Sequence, residues 1–284
     1  MVAFLFLPYQ EGVAMHTVGE FLGYIEKEAP FSLEENWDNV GLLVGDAQQK
    51  ISGVAVALNA LPSTVASAVS RKCSLLITHH PPFFTINRVC MATPEGEAIK
   101  MALCNDLAII SLHTNLDRSS QGINVFLGKL LGLRDSFPLV PGGTDFSSGD
   151  GLCGFLPAPA DIRSLGKKLR QYWELSWAMG YLAPEKPTEC VFSRIAILGG
   201  SGSSFWKNAL DEEAELFITG DMKYHDRLEA LQKGLSLIEV DHGEMEQAAL
   251  FAIARNWEAF FGKEVSFSYI PFQSWEKPAM LLSE

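Results

Sequence analysis

No two cysteines of this chain stand at C-x-x-C spacing, and their number is odd. Cys73, Cys90, Cys104, Cys153 and Cys190 are scattered singly. That excludes a disulfide framework and a zinc ribbon, and it fits a reducing cytosol. Runs of lysine or arginine are also missing, and the net charge is −12. Such a chain repels phosphate backbones, which weighs against nucleic-acid binding. The apolar start Met1–Pro8 is far too short to span a bilayer, and the first basic residue is Lys27, so it fails as a signal peptide. Residues 1–14 read as an N-terminal extension, with a cleaner pattern from Met15. There is no Gly-x-Ser-x-Gly elbow and no Walker loop. Gly199-Gly200-Ser201-Gly202 could cradle a phosphate with its backbone N–H groups, though a tight turn is the plainer reading.

What the chain does have is a core and a rhythm. Its 284 residues are 48% hydrophobic and 20% charged, enough for one large domain or two of ordinary size. Val18, Phe21, Leu22 and Ile25 have helical spacing. Strand and helix signals then alternate: strands over 53–58, 74–78 and 107–112, helices over 62–72, 94–105 and 122–131. This βαβα order predicts a largely parallel sheet covered by helices. Prolines, glycines and serines over 135–151 break the rhythm and mark a linker between a first lobe, 15–134, and a second, 152–284. The second half predicts helices over 162–173, 224–233 and 242–261, and strands over 194–198, 215–219, 235–240 and 265–269. Its last helix and strand are free to return to the first lobe.

The second half also reads as a diverged copy of the first. Val54-Ala55-Val56 answers Ile195-Ala196-Ile197, and Leu76-Ile77-Thr78 answers Phe217-Ile218-Thr219, both at an offset of 141. The same offset sets His79-His80 against Gly220-Asp221. The fold class expected is therefore α/β, with two similar lobes and a site in the cleft between them.

The chemistry gathers at strand ends. Leu75-Leu76-Ile77-Thr78 leads into His79-His80-Pro81-Pro82, and the prolines forbid further strand. Imidazole is the commonest metal ligand, although one His of such a pair is often only a satisfied polar residue. His113-Thr114-Asn115-Leu116-Asp117 follows the next strand. His113 can ligate or move a proton, and Asp117 can ligate one ion, bridge two, or simply cap a helix. In Asp241-His242-Gly243-Glu244-Met245-Glu246, His242 and Glu246 share one helical face, a chelating pair or an ordinary surface pair. Glu244 points elsewhere, as negative charge at a helix start. Asp221 and His225 are supporting or proton-transfer residues, or else an N-cap and an exposed helix position. His79, His80, Asp117, His242 and Glu246 together make three imidazoles and two carboxylates. Five mixed N/O donors with room for water suit two divalent ions, with one carboxylate bridging. Zinc, iron, manganese, cobalt and nickel all fit.

The chain resembles the NIF-three-like, or dinuclear metal centre, proteins, also called GTP cyclohydrolase 1 type 2 homologues. The resemblance runs from about Thr17 to the C-terminus. It rests on Glu35-Asn36-Trp37-Asp38-Asn39-Val40-Gly41-Leu42, Ile77–Pro81, His113–Asp117, Thr219-Gly220-Asp221 with His225, and His242 with Glu246. It implies two interlinked lobes, a two-metal site with the same five ligands, and a homohexamer built as a trimer of dimers. The site chemistry itself argues for a metal-dependent hydrolase of a small phosphorylated or nucleotide-like molecule, with His113 or His225 moving protons. The alternative is a non-catalytic metal-binding ring acting as scaffold or metal store. Asn59 stands where family members often carry Asp.

Overall fold

The computed structural model of the protein describes residues 17–86, 88–142, 147–262 and 265–277. The extension before Met15 lies outside the described residues. Helix α1 (Val18–Glu28) opens with a capping box: the Thr17 hydroxyl accepts from the Glu20 N–H while the Glu20 carboxylate accepts from the Thr17 N–H. A short 3-10 turn then leads to β1 (Gly41–Val44), β2 (Gly53–Asn59), α2 (Pro62–Ser70), β3 (Leu75–His80), α3 (Pro94–Cys104) and β4 (Ala108–Ser111). The one-turn helix α4 (Thr114–Arg118) and α5 (Ile123–Leu131) follow. The second half runs β5 (Arg134–Phe137), β6 (Val140–Pro141), β7 (Gly149–Asp150), β8 (Leu152–Asp161), α6 (Ile162–Tyr172), β9 (Ala178–Tyr181) and β10 (Val191–Ser201). It closes with α7 (Trp206–Asp211), β11 (Leu216–Gly220), α8 (Tyr224–Gln232), β12 (Ser236–Val240), α9 (His242–Phe261) and β13 (Ser266–Tyr269).

Two large sheets form, one in each lobe, beside the small β6–β7 pair. The first has the order β1-β4-β3-β2-β13, parallel except for β1. The second has the order β5-β8-β10-β11-β12-β9, with β10, β11 and β12 parallel and the flanking β8 and β9 antiparallel. Strands covered on both faces need unbroken apolar runs, and Val54–Leu58 and Leu75–Ile77 supply them. Alternation then sorts the side chains. Val54, Val56 and Ile77 join Ile195, Ile197 and Ile218 in a core shared by both sheets, filled by α1, α5, α6 and α9. Ala55, Ala57 and Leu76 face outward under α2 and α3, and Ala196, Phe217 and Leu237 do so under α7 and α8. Helix α9 is the hinge pin of the arrangement. Ala249, Leu250, Ile253 and Trp257 lie in the shared core, and after it the chain crosses back to lay β13 beside β2.

Several segments differ from the sequence reading, among them β9 and α7, to which it assigns no element. Residues 135–151, expected as a linker, carry β5, which joins the second sheet, and the β6–β7 pair. Strand β8 was not anticipated, because Pro157 and Pro159 argue against a paired strand. The ladder to β10 accommodates them by breaking register between the Phe192–Ala160 and Arg194–Phe155 pairs, so the two prolines fall in the irregular stretch. No helix among the described residues is long and apolar enough to cross a membrane.

Candidate metal centre

Strand β3 delivers the two adjacent histidines. His79 shares the inward face of Ile77 and is fully buried, and His80 follows at the strand end. Pro81, with no N–H to give, ends the ladder there. The His79 Nδ1 lies 2.7 Å from the Leu112 carbonyl oxygen, so that nitrogen donates and Nε2 faces the site. The same device recurs three times. His80 Nδ1 lies 2.6 Å from Asn59 Oδ1, His113 Nδ1 2.7 Å from Asp38 Oδ1, and His242 Nδ1 2.7 Å from Asp221 Oδ2. Each acceptor fixes a ring's tautomer and aim, as outer partners of metal-bound imidazoles do.

The free ends converge. His79 Nε2 stands 3.6 Å from both Asp117 Oδ1 and Glu246 Oε1. His80 Nε2 and His242 Nε2 each lie 3.1 Å from Glu246 Oε2. His242 and Glu246 are one turn apart on α9, which follows β12 of the second sheet, whereas His79 and His80 end β3 of the first and Asp117 follows β4. Three sets of donor atoms lie within 4.8 Å of one another: His79, His80 and His113; His80, His242 and Glu246; His79, Asp117 and Glu246. Glu246 belongs to two of the sets, and four of the five expected ligands fall into those two with it.

The residues fit a cation. Among the described residues, the buried atoms His79 Nε2, Asp117 Oδ1 and Glu246 Oε2 have no hydrogen-bond partner. The short contacts of Glu246 Oε2 to two imidazoles therefore lack hydrogen-bond alignment. Donors aimed at a common point rather than at one another suit coordination, and without an ion such atoms would each carry a desolvation cost. Gly200 adds a second sign. Its φ is +77°, and a Cβ there would run into the Glu246 carboxylate and approach His242 Nε2 to 3.2 Å. Only glycine leaves that space.

The electrostatics agree. Burial opposes charge on His79, but Asp117 and Glu246 outweigh it and carry His79 up to about 9. Burial likewise opposes charge on His242, and Glu246 and Asp221 raise it to about 10. Burial, helped by the charge of Glu246, pushes Asp117 up to about 6 against the pull of His79. Burial would raise Glu246 too, but His79 and His242 hold it well below the usual carboxylate range. Burial lowers His80. The cluster thus holds protons on two imidazoles against two buried carboxylates, a place that a divalent ion could fill instead.

Asp117 lies inside α4 rather than at a helix N-cap, so the capping alternative does not hold. His113 stands beside the cluster, its ring centroid 5.1 Å from that of His79. His225 is exposed on α8, and its ring packs on Tyr224 at 5.3 Å. No hydrogen bond or ion pair links it to the cluster among the described residues, because the chain turns at Asp221 (φ +51°) and α8 then carries it outward. Asp221 itself turns toward His242. Glu244 leaves the cluster, accepting from the Ser176 N–H and hydroxyl at 2.6 and 2.8 Å and pairing with Lys277. Asp38 and Gly200 had been given no part in the site. Asp38 is fully buried and also accepts from the Thr114 N–H and hydroxyl. Burial would raise its carboxyl, but these bonds and His113 bring it down to about 2. The one signal for Asp38 was its place in the Glu35–Leu42 run.

The sequence pattern of Duf34/NIF3 (NGG1p interacting factor 3) matches residues 16–277. The chain belongs to the Duf34/NIF3 family. A Clostridium acetobutylicum member named GTP cyclohydrolase 1 type 2 homolog is 27% identical over 248 residues, covering 87% of this chain and 91% of its own. A Streptococcus pneumoniae protein of the same name is 32% identical over 213 residues, covering 75% and 78%. The crystal structure of a Bacillus cereus protein related to NIF3 superposes with a TM-score of 0.80 over 92% of this chain and 98% of its own. At 18% identity that likeness shows the shared two-lobed fold.

Proposed function

We propose that this Duf34/NIF3 protein binds two divalent metal ions and hydrolyses a small phosphorylated or nucleotide-like substrate. The observation that carries the reading is the sharing of Glu246 between the His80–His242 and His79–Asp117 donor sets. One carboxylate common to two sets suits a bridged ion pair. His79, His80, Asp117, His242 and Glu246 would hold the ions; bound there, a pair of divalent ions supplies Lewis acidity and an acidified water. The chain's own residues do the rest. His79 and Glu246 are sealed, while the side chains of His80, His242 and Asp117 are 27%, 29% and 18% exposed, so the site opens on one side. His113, held by Asp38 through Nδ1, presents Nε2 beside that opening as the proton-transfer group. His225, exposed and apart, has no geometry for that task.

The relatives' name and the mixed N/O donor set support the hydrolase reading over a closed metal store, whose ligand positions would all be protein. Zinc, iron, manganese, cobalt and nickel all suit the donors. Five free cysteines support a reducing, cytoplasmic setting, and the family resemblance supports a homohexamer, checked by sedimentation. The deciding experiment is metal content with a phosphoester and nucleotide panel. His79→Ala and Asp117→Ala are expected to lose one or both ions with circular dichroism unchanged. Full metal in both variants refutes the ligand set. A metal-loaded protein that turns over nothing on a broad panel refutes the hydrolase.

A further inference from the structure

Beside the opening of the metal centre, two large aromatic side chains stand in solvent. Trp37 is 59% exposed and Phe84 49%. Their ring centroids lie 5.6 Å apart with a 58° tilt. Both rings also contact His113, each at 5.8 Å. His113 is thus the common member of an aromatic group and a donor-atom group.

These rings are held, although much of each stands exposed. Asp38, next to Trp37, is fully buried and accepts from His113 Nδ1 and from the Thr114 N–H and hydroxyl. Asn39 donates through Nδ2 to the carbonyl of Phe83, at 3.0 Å, which staples the Trp37 loop to the Phe84 loop. The chain beside each exposed ring is thus fixed by polar contacts, at Asp38 and Asn39 after Trp37 and at the Phe83 carbonyl before Phe84. Preorganised aromatic faces of this kind are recognition surfaces for other π-systems.

We propose that Trp37 and Phe84 form a stacking platform for a planar heteroaromatic ring, a nucleobase by chemical class, and set the specificity of the site. The two rings are too close for a third to slide between them, since that takes two stacking spacings, about 7 Å. The ligand ring therefore stacks on the exposed face of Trp37, with Phe84, inclined 58° to it, against one edge and His113 at its inner edge. The polar end of the molecule then points toward His80, His242 and Asp117. That placement of the phosphate rests on the metal-centre reading; the platform does not.

The test compares guanosine 5′-monophosphate with ribose 5-phosphate on metal-loaded protein by calorimetry. Stacking of one base on an aromatic side chain predicts about tenfold or more tighter binding of the nucleotide. Trp37→Ala erases that margin and Trp37→Phe keeps part of it, both with wild-type metal content and circular dichroism. Phe84→Ala narrows the margin and serves as the second variant if Trp37→Ala does not fold. Equal affinity for the two ligands in the wild type, or an unchanged margin in Trp37→Ala, overturns the platform. So does a change in assembly mass in Trp37→Ala without a change in margin, which assigns the face to a second copy of the chain. If the wild type holds no metal, the metal-centre reading fails on its own. Guanosine on metal-free protein then decides the platform: binding lost in Trp37→Ala upholds it, and absent or unchanged binding overturns it.

Discussion

Strands β3 and β11 each pair with a parallel strand on both sides, yet their ends do opposite work. The end of β3 is His79-His80, two imidazoles aimed into the site. The end of β11 is Gly220-Asp221. Gly220 leaves room, since a Cβ there would lie 3.0 Å from the Gly200 carbonyl oxygen and the His242 Cα. Asp221 acts at one remove by holding His242 Nδ1. The neighbouring pair repeats the contrast: Asn59 ends β2 and holds His80, while Gly200, in β10 at the same offset of 141, yields space to Glu246. One lobe presents donors on its strand ends. The other clears its strand ends so that a helix, α9, can bring donors in. A duplicated fold can thus build one asymmetric site from two equivalent edges.

The largest expected break in this comparison is at Glu246, where the lobes meet. Glu246→Ala should lower metal affinity by more than about 100-fold, beyond the loss typical of supporting groups, measured as metal content after dialysis with circular dichroism unchanged. Gly200→Ala comes next. The added methyl has to displace the Glu246 carboxylate, and overpacking of this kind costs about 1–3 kcal/mol; metal content and the denaturant midpoint should fall together. The supporting acceptors sharpen the contrast further. Asp221→Ala and Asn59→Ala should each weaken metal binding by about 10–100-fold, one from each lobe, as read by chelator competition. Wild-type metal affinity in both variants would remove the supporting role from both lobes.

The pH dependence has a defined sign. In metal-free protein, His79 at about 9 and His242 at about 10 lie above the ordinary 6.5. Their stabilising contribution is complete below pH 6.5 and is lost as pH rises through 9 to 10. Asp117, raised from 3.8 to about 6, loses its own contribution earlier on the same rise. Metal needs these groups deprotonated. The melting temperature of chelated protein should therefore fall with rising pH, and its gap from metal-loaded protein should widen; a constant gap would contradict the ligand set. The smallest effect belongs to His225. His225→Ala should change metal affinity by less than about twofold, since substitutions away from packed or charged partners are nearly neutral.

The sequence by itself determined the parallel strands, because doubly covered strands must be continuously apolar and Val54–Leu58 and Leu75–Ile77 are. It also marked the donors, because chemistry in an α/β fold sits where strands end: His79 and His80 end β3, and His113 and Asp117 come soon after β4. It could not show β8, whose prolines are tolerated only through a broken register with β10. Only the tertiary structure decided what supports the donors: Asp38 meets His113 across 75 residues, and Gly200 makes room for a carboxylate on α9. Contacts of that range depend on how two sheets pack around one helix, and no local pattern of residues encodes that packing.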